Sequence, residues 1–487
     1  MNSTRPLPER LTTGSAAFDR ILGGGLPVRS VNVIAGEPGA GKTLFALQTL
    51  FHLARQGKKS LYFTTLSEPS LKLIGHGQQF SFFDARLVDR EVVFADLGSV
   101  LRTKGGEAAI NEIAMRVERE EPAIVVIDSF KAVRDILGDA SAVRSFVYDL
   151  AVHMTSWGAT TLLVGEYTEA EISTQAEFTV ADGIIRFINW RHDLTSIREV
   201  EILKLRGADY VTGRHFFEIG SDGLAFFPRV RSPDTVATET VSTPERVSTG
   251  VGGLDGILGG GLPRASATVV QGATGTGKTL LGLHFLLEGA RRGEAGILFT
   301  LEETADQLRG IALGFGWDLL ALENGGLLTL SYVSPVELST DTFLDRARQL
   351  VEKLGARRAV LDSLTSMALG IHSERRFKEL VYAVTKHFRA LGVTLYMNME
   401  IAELLGSIQL SGYGISFAAD NVVQLKYVEV EERLERGISV LKARGVRHAT
   451  GVRKMSFETH GIAVGAHFEG TRAVLTGHRG VPRGRAV

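Results

Sequence analysis

The chain contains no cysteine. Disulfide staples and thiolate metal sites are therefore excluded, and nothing argues for secretion. Long apolar runs are missing as well. No stretch approaches the roughly 18 uninterrupted apolar residues of a membrane span, and residues 1–10 lack the apolar core of a signal peptide. A soluble cytoplasmic protein with no membrane partner is the expectation. An excess of one charge is absent too, since 54 Lys and Arg face 55 Asp and Glu for a net charge of −1. No basic cluster interleaved with aromatic residues stands out, so a nucleic-acid partner is not expected. What remains is ordinary for packed domains: 44% hydrophobic and 22% charged residues. A length of 487 residues sets a prior of two to four domains.

The most informative stretch is Gly36-Glu-Pro-Gly-Ala-Gly-Lys42-Thr43, which reads G-x-x-x-x-G-K-[ST]. This phosphate-binding loop requires a strand before it and a helix after it. Val31–Ala35 is a β-branched apolar run, and residues 44–54 have helical apolar spacing without Gly or Pro. Gly36, Gly39 and Gly41 let backbone N–H groups wrap phosphate oxygens, with Ala40 between them and Leu44 opening the helix. The helix N-terminus faces the anion. Lys42 would reach the β- and γ-phosphates, and the Thr43 hydroxyl would ligate Mg2+. The same device recurs as Gly272-Ala-Thr274-Gly275-Thr276-Gly277-Lys278-Thr279, followed by Leu280.

The recurrence extends along the chain. Leu11-Thr-Thr-Gly is echoed at Val247-Ser-Thr-Gly, and both stretches run on to Gly-Gly-Gly-Leu-Pro; 247 − 11 = 236, and 272 − 36 = 236 for the loops. Asp128-Ser129 returns as Asp362-Ser363, 362 − 128 = 234, and Lys204-Leu205-Arg206 as Lys442-Ala-Arg444, 442 − 204 = 238. A nearly constant offset means two copies of one fold. The expected domains are residues 8–230 and 245–469, joined by a polar, turn-rich linker at 231–244 and followed by a basic, Gly-rich, disordered tail at 470–487. Strands and helices alternate within each copy, which predicts an α/β fold with a mostly parallel central sheet flanked by helices and an antiparallel edge.

Ala123–Asp128 and Arg358–Asp362 are apolar runs ending in an aspartate, the Walker B pattern that sets a carboxylate beside the loop to hold Mg2+. Glu302 and Glu303 directly follow the strand 296–300. One of them could contact metal or its water while the other activates the nucleophile, or both could be acids favoured at a helix N-terminus. The first copy has Ser67-Glu68 there, leaving Glu68 alone. The paired cations at the K-x-R strand ends suit a triphosphate on a neighbouring subunit or, alternatively, a charged, solvated edge strand.

Together these stretches resemble the KaiC family, tandem RecA-type ATPases and autokinases of circadian clocks, over nearly the whole chain. The resemblance implies two tandem RecA-like P-loop NTPase domains that bind ATP and Mg2+. It implies a homohexamer with ATP between subunits, ATP hydrolysis in the first ring and serine/threonine autokinase chemistry in the second. Lys42, Thr43, Lys278 and Thr279 match the family's loop residues, Glu302 and Glu303 its catalytic pair, with Glu302 also toward the metal. Lys204, Arg206, Lys442, Arg444 and His448 match residues that contact the neighbour's nucleotide. Ser67 departs from the first catalytic glutamate of the hydrolase domain. In the family's phosphorylation stretch Ser416 is kept and the adjacent Thr is Phe417, so one phosphosite is expected. A KaiB-like partner on the first ring goes with the resemblance. Two other readings stand beside it: a RecA-like motor stimulated by DNA, and a nucleotide-gated scaffold in which chemistry is incidental.

Overall fold

The computed structural model describes residues 9–65, 70–192, 195–229, 245–335, 338–371, 374–401, 418–430, 433–445, 448–449 and 451–468. The 231–244 linker, the 470–487 tail, Ser67, Glu68 and Ser416 lie outside the described residues. The chain divides into two compact units, Met1–Arg229 and Val230–Val487.

In the first unit β1 (Arg10–Leu11) pairs antiparallel with β2 (Leu26–Pro27). Nine further strands form one sheet: β3 (Val31–Gly36), β4 (Ser60–Thr64), β5 (Val92–Asp96), β6 (Ile124–Asp128), β7 (Thr160–Glu166), β8 (Gly183–His192), β9 (Thr195–Leu205), β10 (Arg214–Gly220) and β11 (Gly223–Phe227). Their order is β11-β10-β9-β8-β3-β7-β6-β4-β5. The six strands from β8 to β5 are parallel, and β8 to β11 form an antiparallel meander.

The second unit repeats this. β12 (Arg246–Val247) pairs with β13 (Leu262–Pro263). The sheet holds β14 (Ala267–Gly272), β15 (Gly296–Thr300), β16 (Leu328–Tyr332), β17 (Arg358–Asp362), β18 (Thr394–Glu400), β19 (Asn421–Val430), β20 (Arg433–Ala443), β21 (Arg453–Glu458) and β22 (Gly461–His467). Its order, β16-β15-β17-β18-β14-β19-β20-β21-β22, is the same arrangement.

Both faces of each sheet are covered, which explains the continuous apolar strands. In the first unit Ile34, Val126 and Leu162 face the helix Lys42–Arg55 through Phe45, Leu50 and Phe51. The intervening Val33, Ile127 and Leu163 face Ile113, Phe146 and Val147 of the opposite helices. Successive side chains thus alternate between two dry layers. The expected early strands and the antiparallel edge are present. The edge strands β5 and β16 were not anticipated, because Val92–Asp96 and Leu328–Tyr332 are short and only half-buried, so their pattern is weak.

Candidate nucleotide site

Each phosphate-binding loop connects its strand to a long helix, Lys42–Arg55 in the first unit and Lys278–Arg291 in the second. The residue capping each helix is a left-handed glycine, Gly41 at φ 95° and Gly277 at φ 101°. A side chain there would be strained by backbone alone, and at Gly277 a Cβ would also lie 2.8 Å from the Phe457 ring. The helix therefore opens with bare N–H groups aimed at the loop.

Each loop lysine donates to carbonyls of the loop itself. Lys42 Nζ donates to the Glu37 carbonyl at 2.7 Å; Lys278 Nζ donates to the Gly272 and Ala273 carbonyls, each at 3.0 Å. Burial lowers the pKa of both lysines, opposed by surrounding carboxylates. A polyanion is the ligand such a cradle stabilises.

Walker B closes the site. In the first unit Asp128 Oδ2 accepts hydrogen bonds from Thr43 Oγ1 at 2.7 Å and Tyr62 OH at 2.6 Å. Burial raises the Asp128 carboxyl, while those two hydroxyls and Lys42 hold it down. In the second unit Asp362 is buried and its Oδ2 has no hydrogen-bond partner. Desolvation raises it, with Thr279 and Asn398 opposing. A hydroxyl beside a carboxylate with an orphaned oxygen fits one face of Mg2+, whose other positions are filled by phosphates and water. Among the described residues no group of three or more Asp, Glu or His would hold a metal by itself.

Glu302 and Glu303 behave differently. Glu302 Oε1 accepts from Ser363 Oγ at 2.7 Å and from Ser366 Oγ, so it is pinned to the turn after Asp362. Glu303 is half-buried, and its Oε2 has no partner. Burial raises its pKa first, and repulsion from Asp362 and Glu302 adds to the rise. An unpaired carboxyl with elevated pKa beside the loop lysine is placed to take a proton.

The K-x-R residues do not join the loop of their own unit. Ile184 pairs with Lys204 and Val33 with Ile184, whereas the loop leaves β3 after Gly36. Leu205 sits opposite Gly183, which sits opposite Asn32, four residues before Gly36. That is about 13 Å along the strand. Lys204 Nζ donates to Thr179 O at 3.4 Å, and Arg206 pairs with Asp182 at 3.5 Å. Lys442 Nζ donates to Ala419 O at 2.7 Å, and Arg444 lies 3.7 Å from Asp420. His448 lies four residues beyond Arg444 in the sequence, and Leu205 itself is core.

Two features were missed from sequence. Arg436 Nε donates to the Gly275 carbonyl at 3.3 Å, with its guanidinium 4.2 Å from the Phe457 ring centroid and 5.7 Å from that of Tyr427. It braces the second loop from β20. The signal was available, since Arg436 precedes Lys442 by six residues as Arg198 precedes Lys204. The other is a glutamate ending the strand between loop and Walker B in each unit, Glu166 on β7 and Glu400 on β18. Gly36 pairs with Glu166 and Gly272 with Glu400. Their offset, 400 − 166 = 234, is that of the Walker B aspartates.

A family profile described as ATPase: KaiC matches residues 11–231 and again 247–469. The chain belongs to the KaiC ATPase family. Similar curated proteins agree. The circadian clock oscillator protein KaiC of Rippkaea orientalis is 30% identical over 479 residues, 96% of this chain and 91% of that protein. The KaiC of a Nostoc species is 31% identical over 481 residues, with shares of 96% and 91%. The circadian clock protein KaiC3 of a Synechocystis species is 30% identical over 482 residues, with shares of 96% and 94%. The two KaiC matches coincide with the two nine-stranded sheets, which are thus two tandem RecA-like domains, each with its own loop and Walker B aspartate.

Proposed function

We propose that this KaiC-family chain binds Mg-ATP in both units and that the second unit transfers the γ-phosphate, to water and to Ser416. The observation that carries the reading is Glu303, whose unpaired Oε2 and raised pKa lie beside Asp362 and Lys278. In the step, a water or serine oxygen attacks the γ-phosphorus and its proton passes to Glu303. The bond to the bridging oxygen breaks, and ADP leaves with the electron pair. Lys278 steadies the β- and γ-phosphates, and Glu302, held by Ser363 and Ser366, fixes the approach to the metal side. Thr43 with Asp128 and Thr279 with Asp362 would hold Mg2+, which neutralises phosphate charge when bound.

The K-x-R ends support a ring in which ATP lies between subunits. They stand too far from their own loop and face outward from the amino edge of the sheet, where a neighbour's phosphates would fit. Six-fold assembly with ATP, a cytoplasmic location and a KaiB-like partner for the first unit belong to the same reading. The relatives are named as circadian clock proteins, which makes a timing or signalling switch the role this reading assigns. Among the described residues no helix is long and apolar enough to cross a membrane.

A scaffold role for the first unit has one observation in its favour. In the sequence Ser67-Glu68 stands where the second unit has Glu302-Glu303, so the first carboxylate of the pair is missing. The test is intact-mass and phosphopeptide analysis after incubation with Mg-ATP, comparing wild type, Ser416→Ala and Glu303→Gln. One phosphate that vanishes in both variants, with ATP still bound, supports an autokinase with one site. No phosphate in wild type, with ATP turned over, leaves a hydrolase. No turnover at all leaves the scaffold.

A further inference from the structure

The second phosphate-binding loop meets a carboxylate that neither the loop motif nor the transfer step uses. Glu400 ends β18, the strand between the loop strand β14 and the Walker B strand β17, and it stands opposite Gly272, where the loop begins. Its Oε1 accepts a hydrogen bond from Thr274 Oγ1 on the loop. Its backbone is fixed as well, since its N–H donates to Thr365 Oγ1 at 2.8 Å, three residues after the Walker B aspartate. Thr274 is itself held. Tyr427 OH donates to its carbonyl at 3.4 Å, and Arg436 Nε donates to the next carbonyl, Gly275, at 3.3 Å. The carboxylate is therefore tied to a braced part of the loop.

We propose that Glu400, latched by Thr274, sets the second unit's preference between nucleoside di- and triphosphate by keeping a negative charge beside the place of the γ-phosphate. The inference rests on the Mg-ATP reading above and names what selects the nucleotide at that site. The loop lysine is the group that reaches the β- and γ-phosphates. Burial lowers the pKa of Lys278, and of the four carboxylates that oppose this Glu400 acts most strongly, ahead of Asp362, Glu302 and Glu303. The ammonium that would hold a γ-phosphate thus already lies in the field of Glu400. A diphosphate leaves that arrangement in place. A triphosphate brings further negative charge to the same ammonium, so Glu400 either repels it or gives up Thr274 and turns away. Both routes weaken ATP relative to ADP.

The first unit shows the contrast. Glu166 occupies the equivalent place, opposite Gly36. The counterpart of Thr274 there is Pro38, which has no hydroxyl. The counterpart of Thr365 is Lys131, which pairs with Glu171 at 3.0 Å. Glu166 is exposed and has neither tether, so it is free to turn to solvent when a triphosphate arrives. The charge is common to both units, whereas the latch belongs to the second.

The test uses the full chain with Lys42→Ala, so that bound nucleotide reports on the second unit. Labelled ADP is displaced by ADP or by a non-hydrolysable ATP analogue, each with Mg2+, and the ratio of the two affinities is the readout. A loosened fold would weaken both nucleotides alike and leave the ratio where it was. Glu400→Gln keeps an acceptor for Thr274 and removes the charge, and it should shift the ratio toward the triphosphate by about tenfold. Thr274→Val releases the carboxylate and should shift the ratio the same way by about threefold. Glu374→Gln, 63% exposed on the helix that covers the other face of the sheet, leaves the ratio unchanged. An unchanged ratio in either Glu400→Gln or Thr274→Val overturns the proposal. So does a shift toward the diphosphate, which would make Glu400 a partner of the Mg2+ that accompanies the triphosphate. A Lys42→Ala chain that binds neither nucleotide removes the Mg-ATP reading of the second unit itself, and this proposal with it.

Discussion

The two units place a tyrosine beside the same aspartate from opposite sides and with opposite consequences. In the first, Tyr62 on β4 donates to Asp128 at 2.6 Å, and its counterpart in the second is Leu298. In the second, Tyr396 on β18 is fully buried near Asp362 with its hydroxyl unpaired, and its counterpart in the first is Leu162. The backbone is shared, but the first aspartate is restrained by hydrogen bonds and the second is left with an open oxygen. A duplicated fold fixes where a carboxylate stands. The neighbours decide whether it is held or available.

The largest effect should separate the units chemically. Glu303→Gln should cut phosphate transfer by the second unit about 100- to 1000-fold while ATP remains bound, as removal of a general base does. Phosphate release with bound-nucleotide counting checks it. Transfer that persists would show that Glu303 is ordinary helix-start acid and that the units differ less than their sequences do.

The next effect is on stability. The first residue of the Walker B strand is Ile124 in one unit and Arg358 in the other, 358 − 124 = 234. Arg358 is 1% exposed. Its Nε pairs with Glu294 at 2.7 Å, and its Nη1 donates to the Ser248 and Phe285 carbonyls, each at 2.8 Å. Arg358→Ala should cost the second unit about 3–5 kcal/mol by stranding a largely enclosed carboxylate and two carbonyls. Ile124→Val should cost the first about 1 kcal/mol. Denaturant unfolding with a probe in each unit reads both.

How much of this was legible follows from the range of the interactions. The loops and Walker B strands are contiguous stretches whose chemistry needs fixed spacing, so Lys42, Lys278, Asp128 and Asp362 can be picked out before any fold is known. Glu166 and Glu400 cannot, because their place beside the loop depends on β7 and β18 lying between loop and Walker B strands. Strand order is a tertiary fact. Arg436 braces a carbonyl 161 residues away, and only its recurrence as Arg198 hints at a role. Arg358 looks like any strand-edge cation until Glu294 and the Phe285 ring, 4.7 Å from the guanidinium, enclose it.

The tyrosines allow a finer contrast. Tyr62→Phe should cost the first unit about 1.5 kcal/mol, since a hydroxyl donating to a carboxylate is lost. Tyr396→Phe should be neutral or stabilising by up to about 1 kcal/mol, since it removes a buried hydroxyl without a partner. Thermal melting of each variant measures both. Equal losses would mean that Tyr396 has a partner after all and that the two aspartates are held alike.

The smallest difference titrates. The loop helix of each unit is clamped to its last strand by one side chain. Gln48 Oε1 accepts from Leu224 N–H at 2.8 Å, and at the equivalent position His284 Nε2 accepts from Ile462 N–H at 2.8 Å. The histidine must therefore be neutral at Nε2. Burial pushes its pKa down to about 4 from the usual 6.5. Above pH 6.5 neither state of the histidine is charged and the residue is neutral in the balance. As pH falls from 6.5 toward 4, the unfolded chain takes up the proton and the folded one does not, so stability is lost with falling pH. With the ring only partly enclosed, the loss should be on the order of 1 kcal/mol by pH 4. Gln48 cannot titrate, so the first unit has no such slope. His284→Gln should carry the first unit's clamp into the second and flatten the difference between wild type and variant across pH 4–6.5. The readout is that difference, because carboxylates common to both proteins cancel in it. A difference that stays flat in wild type would show that the imidazole is charged in the fold and that Ile462 N–H is not its partner.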